Sequence, residues 1–209
     1  MVRALTGLDV DDLSLSRGGR ILFRNLSFGL GPGELLSLEG PNGAGKTSLL
    51  RAIAGFLEPH AGAIRLRTND DGAATSGEER AGFVAWLGHQ DGVKPQSTPA
   101  EVLGFFGNFY QTRPDVDGAL GQAGLAPMRD LPVQYLSAGQ KRRLALVRLT
   151  LTARPLWLLD EPLAALDAAG KSLAARFILA HCGAGGLVVA ATHEPLGLDC
   201  KHLVLENRS

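Results

Sequence analysis

A glycine-rich loop constrains the fold of this chain more than any other stretch. It follows an apolar run at residues 35–38 and consists of Gly40, Pro41, Asn42, Gly43, Ala44, Gly45, Lys46 and Thr47, followed by Ser48. Such glycines let backbone N–H groups converge on phosphate oxygens, while the lysine reaches the outer phosphates and the threonine hydroxyl can ligate Mg²⁺. A helix predicted to begin at Thr47 adds its positive dipole end. The sequence therefore predicts a strand, a phosphate-binding loop and a helix, in that order.

Composition places this loop in one globular domain. The chain has 209 residues, of which 45% are hydrophobic and 20% are charged, enough to bury a substantial core. Lys plus Arg and Asp plus Glu both number 21, so no basic surplus points to nucleic acid or anionic lipid as a bulk partner. The apolar runs are shorter than a membrane span and the first twelve residues do not resemble a signal peptide, so a cytosolic chain is expected.

The apolar runs predict an α/β fold with a mostly parallel core sheet. Runs at residues 83–87, 156–159 and 187–191 join residues 35–38 as buried strands separated by helical segments, a pattern typical of a parallel sheet covered on both faces. Alternating residues before the loop predict an N-terminal antiparallel β portion. Residues 98–151 predict a helical subdomain, and residues 68–80 an exposed loop. Cys182 and Cys200 match no metal or disulfide framework and are expected to be reduced.

Three aromatic residues in the helical region, Phe105, Phe106 and Phe109, have helical spacing. This spacing favours packing in the core or against another subunit over a ligand cage.

Polar residues follow four of the predicted strands. The phosphate loop follows residue 38, Gln90 follows the second run, Asp160 and Glu161 follow the third, and His193 follows the fourth. Ligands of parallel sheets lie beyond the carboxyl ends of the strands, so these residues predict one composite site. Asp160 is expected to hold Mg²⁺ and Glu161 to orient and polarise an attacking water. The alternatives are a solvated acidic turn for the carboxylates and a structural role for His193.

A second helix start carries another anion-binding pattern. Leu136, Ser137, Ala138, Gly139 and Gln140 precede an amphipathic helix, and serine and glycine at a helix N-terminus can bind an anion. By itself this pattern is also that of an ordinary capped helix. It resembles the Leu-Ser-Gly-Gly-Gln signature motif in the ATP-binding subunits of ABC transporters. Ala138 differs from that motif by one methyl group, a mild change unless the backbone there requires glycine.

The resemblance extends over nearly the whole chain and assigns further residues. Residues 40–47 match the Walker A loop, residues 156–160 the Walker B strand, Asp167 the D-loop, Gln90 the Q-loop and His193 the switch histidine. It implies a P-loop NTPase fold as a single domain over residues 1–209, with a RecA-like core at about 1–97 and 152–209 and a helical subdomain at about 98–151.

The same resemblance implies the chemistry and the assembly. ATP and Mg²⁺ are the implied ligands, with Thr47, Gln90 and Asp160 at the metal and Glu161, His193 and Gln90 in catalysis. Two such domains pack head to tail in this family, so that the signature of one closes over ATP on the Walker A loop of the other. A second copy of the chain is therefore an expected partner.

Arg17 departs from the family pattern. The family usually places an aromatic side chain in this early turn to stack on adenine, whereas this chain has an arginine. A guanidinium plane can also stack on a base, and the alternative is that Arg17 points to solvent.

A narrower resemblance concerns the ATP-binding subunits of bacterial cytochrome c maturation systems. It rests on residues 87–94, 122–125, 132–133 and 136–143. It implies integral membrane subunits as partners, a peripheral position on the cytoplasmic side of the inner membrane, and an ATP cycle that acts on haem export or on release of a haem-carrying chaperone. Since the chain has no Cys-x-x-Cys-His motif, no direct contact with haem is expected. Direct contact with nucleic acid is not expected either, because the chain has no basic surplus.

Two other functions compete with this interpretation. One is an exporter ATPase for another substrate, which would have the same chemistry and different membrane partners. The other is a soluble ABC-type protein that acts on nucleic acid or ribosomes. Such proteins usually carry two cassettes or long insertions, which this sequence lacks.

Overall fold

The computed structural model describes residues 5–70, 72–88 and 92–206. In chain order these residues form β1 (Leu5–Arg17), β2 (Arg20–Leu30), β3 (Leu35–Glu39), α1 (Lys46–Ile53), β4 (Ala61–Thr68), β5 (Ala73–Ala74), α2 (Gly77–Ala81), β6 (Val84–Leu87), α3 (Pro99–Phe109), α4 (Val116–Gln122), α5 (Ala138–Thr150), β7 (Leu156–Asp160), α6 (Ala168–Gly183), β8 (Leu187–Ala191) and β9 (Lys201–Val204). Two 3₁₀ turns, Ala126–Met128 and Val133–Tyr135, precede α5.

The central layer is a parallel sheet in the order β6, β7, β8, β3 and β9. The four strands predicted from apolar runs are adjacent in this sheet. The parallel core sheet expected from the sequence is therefore confirmed, and so is the P-loop fold class. The edge strand β9 was not predicted, because most of its side chains are exposed and its sequence contains no apolar run.

Both faces of the parallel sheet are covered. Leu35, Trp157 and Val188 belong to the core that includes residues of α3, α4, α5 and α6. Their neighbours Leu36 and Leu158 belong to the opposite core, which includes residues of α1 and of the antiparallel sheet. Since successive side chains of a strand point to opposite faces, uninterrupted apolar strands are what a two-sided core requires.

The antiparallel sheet has the order β2, β1, β4 and β5. The turn between β1 and β2 passes through Gly18 and Gly19, which have φ values of 59° and 78° and so adopt the left-handed backbone that glycine allows at little cost. This N-terminal antiparallel portion was predicted. It brings the hairpin beside the phosphate loop.

Most residues of the stretch 68–80 are exposed, as expected, but the expectation of a loop was wrong at β5 and α2. Ser76 and Glu79 form a capping box at the start of α2, and Arg80 is only 3% exposed. Its guanidinium donates to the carbonyls of Ala52 at 3.1 Å and Ile53 at 3.2 Å, at the end of α1. The acceptors lie 27 and 28 residues away, so no local pattern indicates that this charged residue is buried.

Helices α3, α4 and α5 lie between β6 and β7 in the chain, where the helical subdomain was expected. The boundaries of that subdomain near residues 98 and 151 stay a prediction. Phe105 and Phe109 are exposed, whereas Phe106 packs against the core.

In the part of the chain that the structure describes, no helix has both the length and the apolarity to cross a membrane. Cys182 and Cys200 are free, and burial raises the pKa of both thiols.

Candidate functional site

A cavity of about 500 Å³ lies at the carboxyl ends of β3, β7 and β8, beside the β1–β2 hairpin. It is lined by the predicted residues Arg17, Pro41, Asn42, Gly43, Gly45, Lys46, Thr47, Ser48, Asp160, Glu161 and His193, and by Leu22. The structure therefore brings most of the predicted site residues together. Leu22 was not predicted as a site residue, because its apolar side chain in a strand matches a core residue equally well.

The phosphate loop has the backbone conformation that its glycines allow. Gly40, Gly43 and Gly45 have φ values of 134°, 84° and 101°, which L-residues with side chains rarely adopt. At Gly40 a Cβ would also lie 2.2 Å from the carbonyl oxygen of Leu205. Helix α1 begins at Lys46 and has no side-chain cap, so its first N–H groups are available to phosphate.

The Lys46 side chain packs against this loop, and its ammonium group lies at the edge of the cavity. Nζ donates to the carbonyl oxygen of Gly40 at 2.6 Å and to that of Pro41 at 3.3 Å, and lies 3.3 Å from Nε2 of His193. Burial lowers the pKa of Lys46, and the nearby carboxylates of Glu161 and Asp160 raise it in part. A phosphate in the cavity would supply the anionic partner that offsets this burial.

Asp160 and Thr47 form the oxygen-rich part of the cavity. Asp160 is the buried last residue of β7, and the Thr47 hydroxyl donates to its two carboxylate oxygens at 3.1 Å and 3.0 Å. Within residues 5–70, 72–88 and 92–206 no group of three His, Cys, Asp or Glu side chains could hold a metal. Mg²⁺ needs no such group, because it binds through one or two protein oxygens together with substrate phosphates. The pair therefore fits this ion.

Glu161 and His193 lie next to each other in the wall of the cavity. His193 Nε2 lies 3.3 Å from Glu161 Oε1. The Glu161 backbone has a φ of 51°, and its N–H donates to the carbonyl of Ala191, the last residue of β8, at 2.8 Å. The ends of two neighbouring strands thus bring a carboxylate and an imidazole together at the cavity.

The predicted signature residues begin α5. The Ser137 hydroxyl accepts from the N–H of Gln140 at 3.2 Å, and the Gln140 side chain accepts from the N–H of Ser137 at 2.8 Å. Ala138 is the first helical residue, so its backbone does not require glycine. Leu136 is buried, and Gly139 lies against the carbonyl of Ala165. None of residues 136–140 is among the described residues that line the cavity.

Comparisons with known proteins agree with this geometry. A family model described as "ABC transporter" matches residues 23–164. "Cytochrome c biogenesis ATP-binding export protein CcmA" of Rhodopseudomonas palustris (strain BisB5) is 47% identical over 189 residues, which cover 90% of this chain and 92% of that protein. The protein of the same description from Rhizobium meliloti (strain 1021) is 44% identical, with 91% and 92% covered. The chain belongs to the CcmA family of ABC transporter ATP-binding proteins.

Solved structures show the same fold. A putative ABC transporter ATP-binding protein from Pyrococcus furiosus matches with a TM-score of 0.82 at 23% identity, over 95% of this chain and 97% of that one. At this identity the likeness concerns the fold alone. The shared fold includes the two sheets of this CcmA-family chain that border its nucleotide cavity, the antiparallel N-terminal sheet and the parallel core sheet.

Asp167, the predicted D-loop residue of this CcmA-family chain, is the N-cap of α6. Its carboxylate accepts from the N–H of Gly170 at 2.8 Å and also pairs with Arg143 of α5. The hydrogen bond from Gly170, followed by that from Arg143, lowers the pKa of Asp167. Helix α5, which begins with the predicted signature residues, and the predicted D-loop residue are thus joined by an ion pair that sequence reasoning did not predict. Gln90 lies outside the described residues, so its catalytic and metal-binding roles stay predictions.

Arg17 lies at the end of β1, is exposed and lines the nucleotide cavity. We expect Arg17→Tyr, which introduces the aromatic side chain usual in ABC ATPases, to leave ATP affinity unchanged or to tighten it up to about 10-fold through base stacking. Equilibrium binding of ATP measures this effect. Arg20→Tyr is the matched control, because Arg20 pairs with Arg17 across the hairpin but does not line the cavity. A large loss of affinity in Arg17→Tyr alone would mean that Arg17 has another role.

Proposed function

We propose that this chain hydrolyses ATP as the motor subunit of an ABC export complex in cytochrome c biogenesis. The observation that carries the proposal is the arrangement of Lys46, Asp160, Glu161 and His193 around one cavity. The role in cytochrome c biogenesis is supported by relatives that are 44% to 47% identical and bear the CcmA description. Haem export or release of a haem-carrying chaperone is the coupled step. The division into a RecA-like core and a helical subdomain is part of the same proposal.

A genetic experiment tests this function. In a strain that lacks the chain, the wild-type gene should restore c-type cytochromes, detected by their covalently bound haem, and the Lys46→Ala gene should not. If c-type cytochromes form normally without the chain, its ATPase serves a different exporter.

Each residue of the cavity has a separate task in hydrolysis. Lys46 and the N–H groups at the start of α1 bind and orient the outer phosphates. Glu161 orients the attacking water and accepts its proton. His193 Nε2, 3.3 Å from both Lys46 Nζ and Glu161 Oε1, contacts the outer phosphate beside them. Thr47 and Asp160, together with Gln90, would hold Mg²⁺, and the bound ion would neutralise charge on the phosphates.

A second copy of the chain completes the site. The signature residues 136–140 begin a capped helix whose N-terminus suits an anion, yet they are absent from the lining of their own chain's cavity as the structure describes it. A head-to-tail pair places the signature of one protomer over the ATP of the other. Because such an interface is self-complementary, one dimer contains two equivalent sites.

Membrane subunits dock on an aromatic surface beside α3. Phe56, Phe105 and Phe109 are 64%, 64% and 66% exposed, which is uncommon for large apolar side chains unless they meet a partner. Two adjoining cavities of about 400 and 450 Å³ both include Phe106 and Gly92 in their lining. This surface supports docking of the chain onto membrane subunits. A peripheral position on the cytoplasmic side of the inner membrane, without direct contact to haem or nucleic acid, is part of the same proposal.

Cell fractionation checks this docking surface. We expect the chain to sediment with membranes only when its membrane subunits are co-expressed, and the Phe105→Ser, Phe109→Ser double variant to lose most of this sedimentation because the docking area becomes polar. Leu179→Ser is the control, since Leu179 is also an exposed apolar residue but lies on α6. Sedimentation of the wild-type chain without its partners would contradict the proposal, as would full retention of the double variant.

A further inference from the structure

Arg142 is a buried arginine that joins α5 to the ends of two strands. Its side chain is one turn into the helix that Ser137 caps, and the residue is only 6% exposed. Nη1 donates to the carbonyl of Gly88 at 2.8 Å, directly after β6. Nη2 donates to the carbonyls of Asp160 at 2.6 Å and Glu161 at 2.5 Å, and Nε donates to that of Pro162 at 3.4 Å. One guanidinium therefore connects α5 to the residue that follows β6, to the last residue of β7 and to the two residues after it.

The backbone of Glu161 depends on such ties. Its φ of 51° lies in the left-handed region, which is strained for a residue with a side chain and persists only when its surroundings impose it. The Glu161 N–H donates to the carbonyl of Ala191, and the Glu161 carbonyl accepts from Arg142 and from the N–H of Ala164 at 3.1 Å. Pro162 follows directly and disfavours the right-handed helical alternative. Arg142 therefore contributes, from a separate helix, to the restraint that sets the direction of the Glu161 carboxylate.

We propose that Arg142 is a positioning residue for ATP hydrolysis, which holds Glu161 in line with the attacking water and makes the signature helix and this carboxylate move as one body. The inference rests on the proposed function, in which Glu161 accepts the proton of that water. Arg142 does not line the cavity among the described residues, so it acts through Glu161. A displacement of Ser137 by the opposite protomer is thereby transmitted along α5 to the water site.

The guanidinium group is specifically suited to this task. Its five N–H donors form a rigid fork that can serve several carbonyls in one plane, whereas a lysine ammonium is a compact point charge. A lysine at this position keeps the charge but cannot donate to all four carbonyls at once, so some of them lose the hydrogen bond that Arg142 provides. The backbone around Glu161 then loses part of its restraint, and a misplaced reacting group slows an enzyme by up to about 100-fold.

Arg80 provides a matched control for the structural cost of the substitution. It is also a buried arginine that donates to backbone carbonyls, those of Ala52 and Ile53 among them. The hydrogen bonds that Arg80 donates to the described residues reach Ala52, Ile53, Ile64 and Thr75, all far in the sequence from residues 160–162. Arg80→Lys therefore weakens a comparable buried network without altering the restraint on Glu161.

The test is a double-mutant cycle between Arg142→Lys and Glu161→Gln, measured as single-turnover ATP hydrolysis by the full chain in complex with its membrane subunits. Arg142→Gln, which keeps two N–H donors without the charge, repeats the cycle, and Arg80→Lys with Glu161→Gln is the control cycle. ATP affinity and thermal unfolding are recorded for every variant, so that loss of binding or folding is separated from loss of the chemical step.

We expect Arg142→Lys to lower the hydrolysis rate about 10-fold to 100-fold with nearly unchanged ATP affinity, and to have almost no further effect once Glu161 is glutamine. In the control cycle, the fold-reduction in hydrolysis rate of the Arg80→Lys, Glu161→Gln double variant should equal the product of the two single-variant reductions. The same product relation in the Arg142 cycle, or a wild-type rate in Arg142→Lys, would overturn the inference. A wild-type complex without ATPase activity, or an undiminished rate in Glu161→Gln, would instead overturn the proposed function.

Discussion

Replacing Glu161 with glutamine is expected to lower ATP turnover at least about 100-fold, the contribution typical of a positioned general base. Glutamine has the same length and can still hydrogen-bond to His193, which lies 3.3 Å from the carboxylate, but it cannot accept a proton from water. ATP binding should therefore persist, and the dimer closed around ATP should accumulate. Steady-state phosphate release measures the turnover. Equilibrium binding of ATP, together with the molecular mass of the protein in solution, reports the ATP-bound dimer.

Glu194→Gln is the matched control for this substitution. Glu194 also lies next to His193, but its carboxylate pairs with Lys171 and it does not line the described cavity. Its turnover should stay close to that of the wild-type complex. Normal phosphate release by the Glu161→Gln complex would remove Glu161 from the role of general base.

Replacing Lys46 with alanine should weaken ATP binding roughly 10-fold to 100-fold, the loss expected for one charge-assisted hydrogen bond. Hydrolysis should fall further, because the lysine charge also stabilises the phosphates during transfer. Lys46 makes hydrogen bonds to Gly40 and Pro41, so its removal also loosens the loop. Equilibrium binding and phosphate release give the two effects separately.

Two further variants separate the charge from the volume of the Lys46 side chain. Lys46→Met keeps most of the buried stem and should resemble Lys46→Ala if the charge matters most. Lys171→Ala removes an exposed lysine that pairs with Glu194 instead of lining the cavity, and should bind ATP normally. Wild-type affinity and rate in both Lys46 variants would contradict the placement of the outer phosphates beside Lys46.

The composite cavity was predictable from sequence because of how a parallel sheet is built. Buried parallel strands appear as uninterrupted apolar runs, and their carboxyl ends meet at one edge of the sheet. Residues that follow separate runs, such as Lys46, Asp160 and His193, were therefore expected to meet. The structure brings them to one cavity. Gly40 and Gly45 were predictable because a phosphate loop of this kind needs glycine at these two positions, before the lysine and the threonine.

Features that depend on distant partners were not predictable. The burial of Arg80 and Arg142 depends mainly on carbonyl groups that lie 18 to 54 residues away in the sequence, whereas local periodicity places arginine on the surface. Strand β9 has mostly exposed side chains, so its pairing with β3 follows from backbone hydrogen bonds that any sequence can make. The ion pair between Arg143 and Asp167 likewise requires the three-dimensional arrangement of α5 and α6.

The central claim is that each ATP site is shared by two copies of the chain, and a complementation assay tests it most directly. Lys46→Ala disables the phosphate loop, and Ser137→Asp places a carboxylate at the signature while preserving the helix cap, since aspartate caps as well as serine. Either variant alone should be nearly inactive, because both sites of its dimer are defective. An equimolar mixture contains dimers with one intact site, so it should recover about a quarter of wild-type single-turnover hydrolysis. A mixture that hydrolyses no more ATP than the separate variants would contradict the shared site.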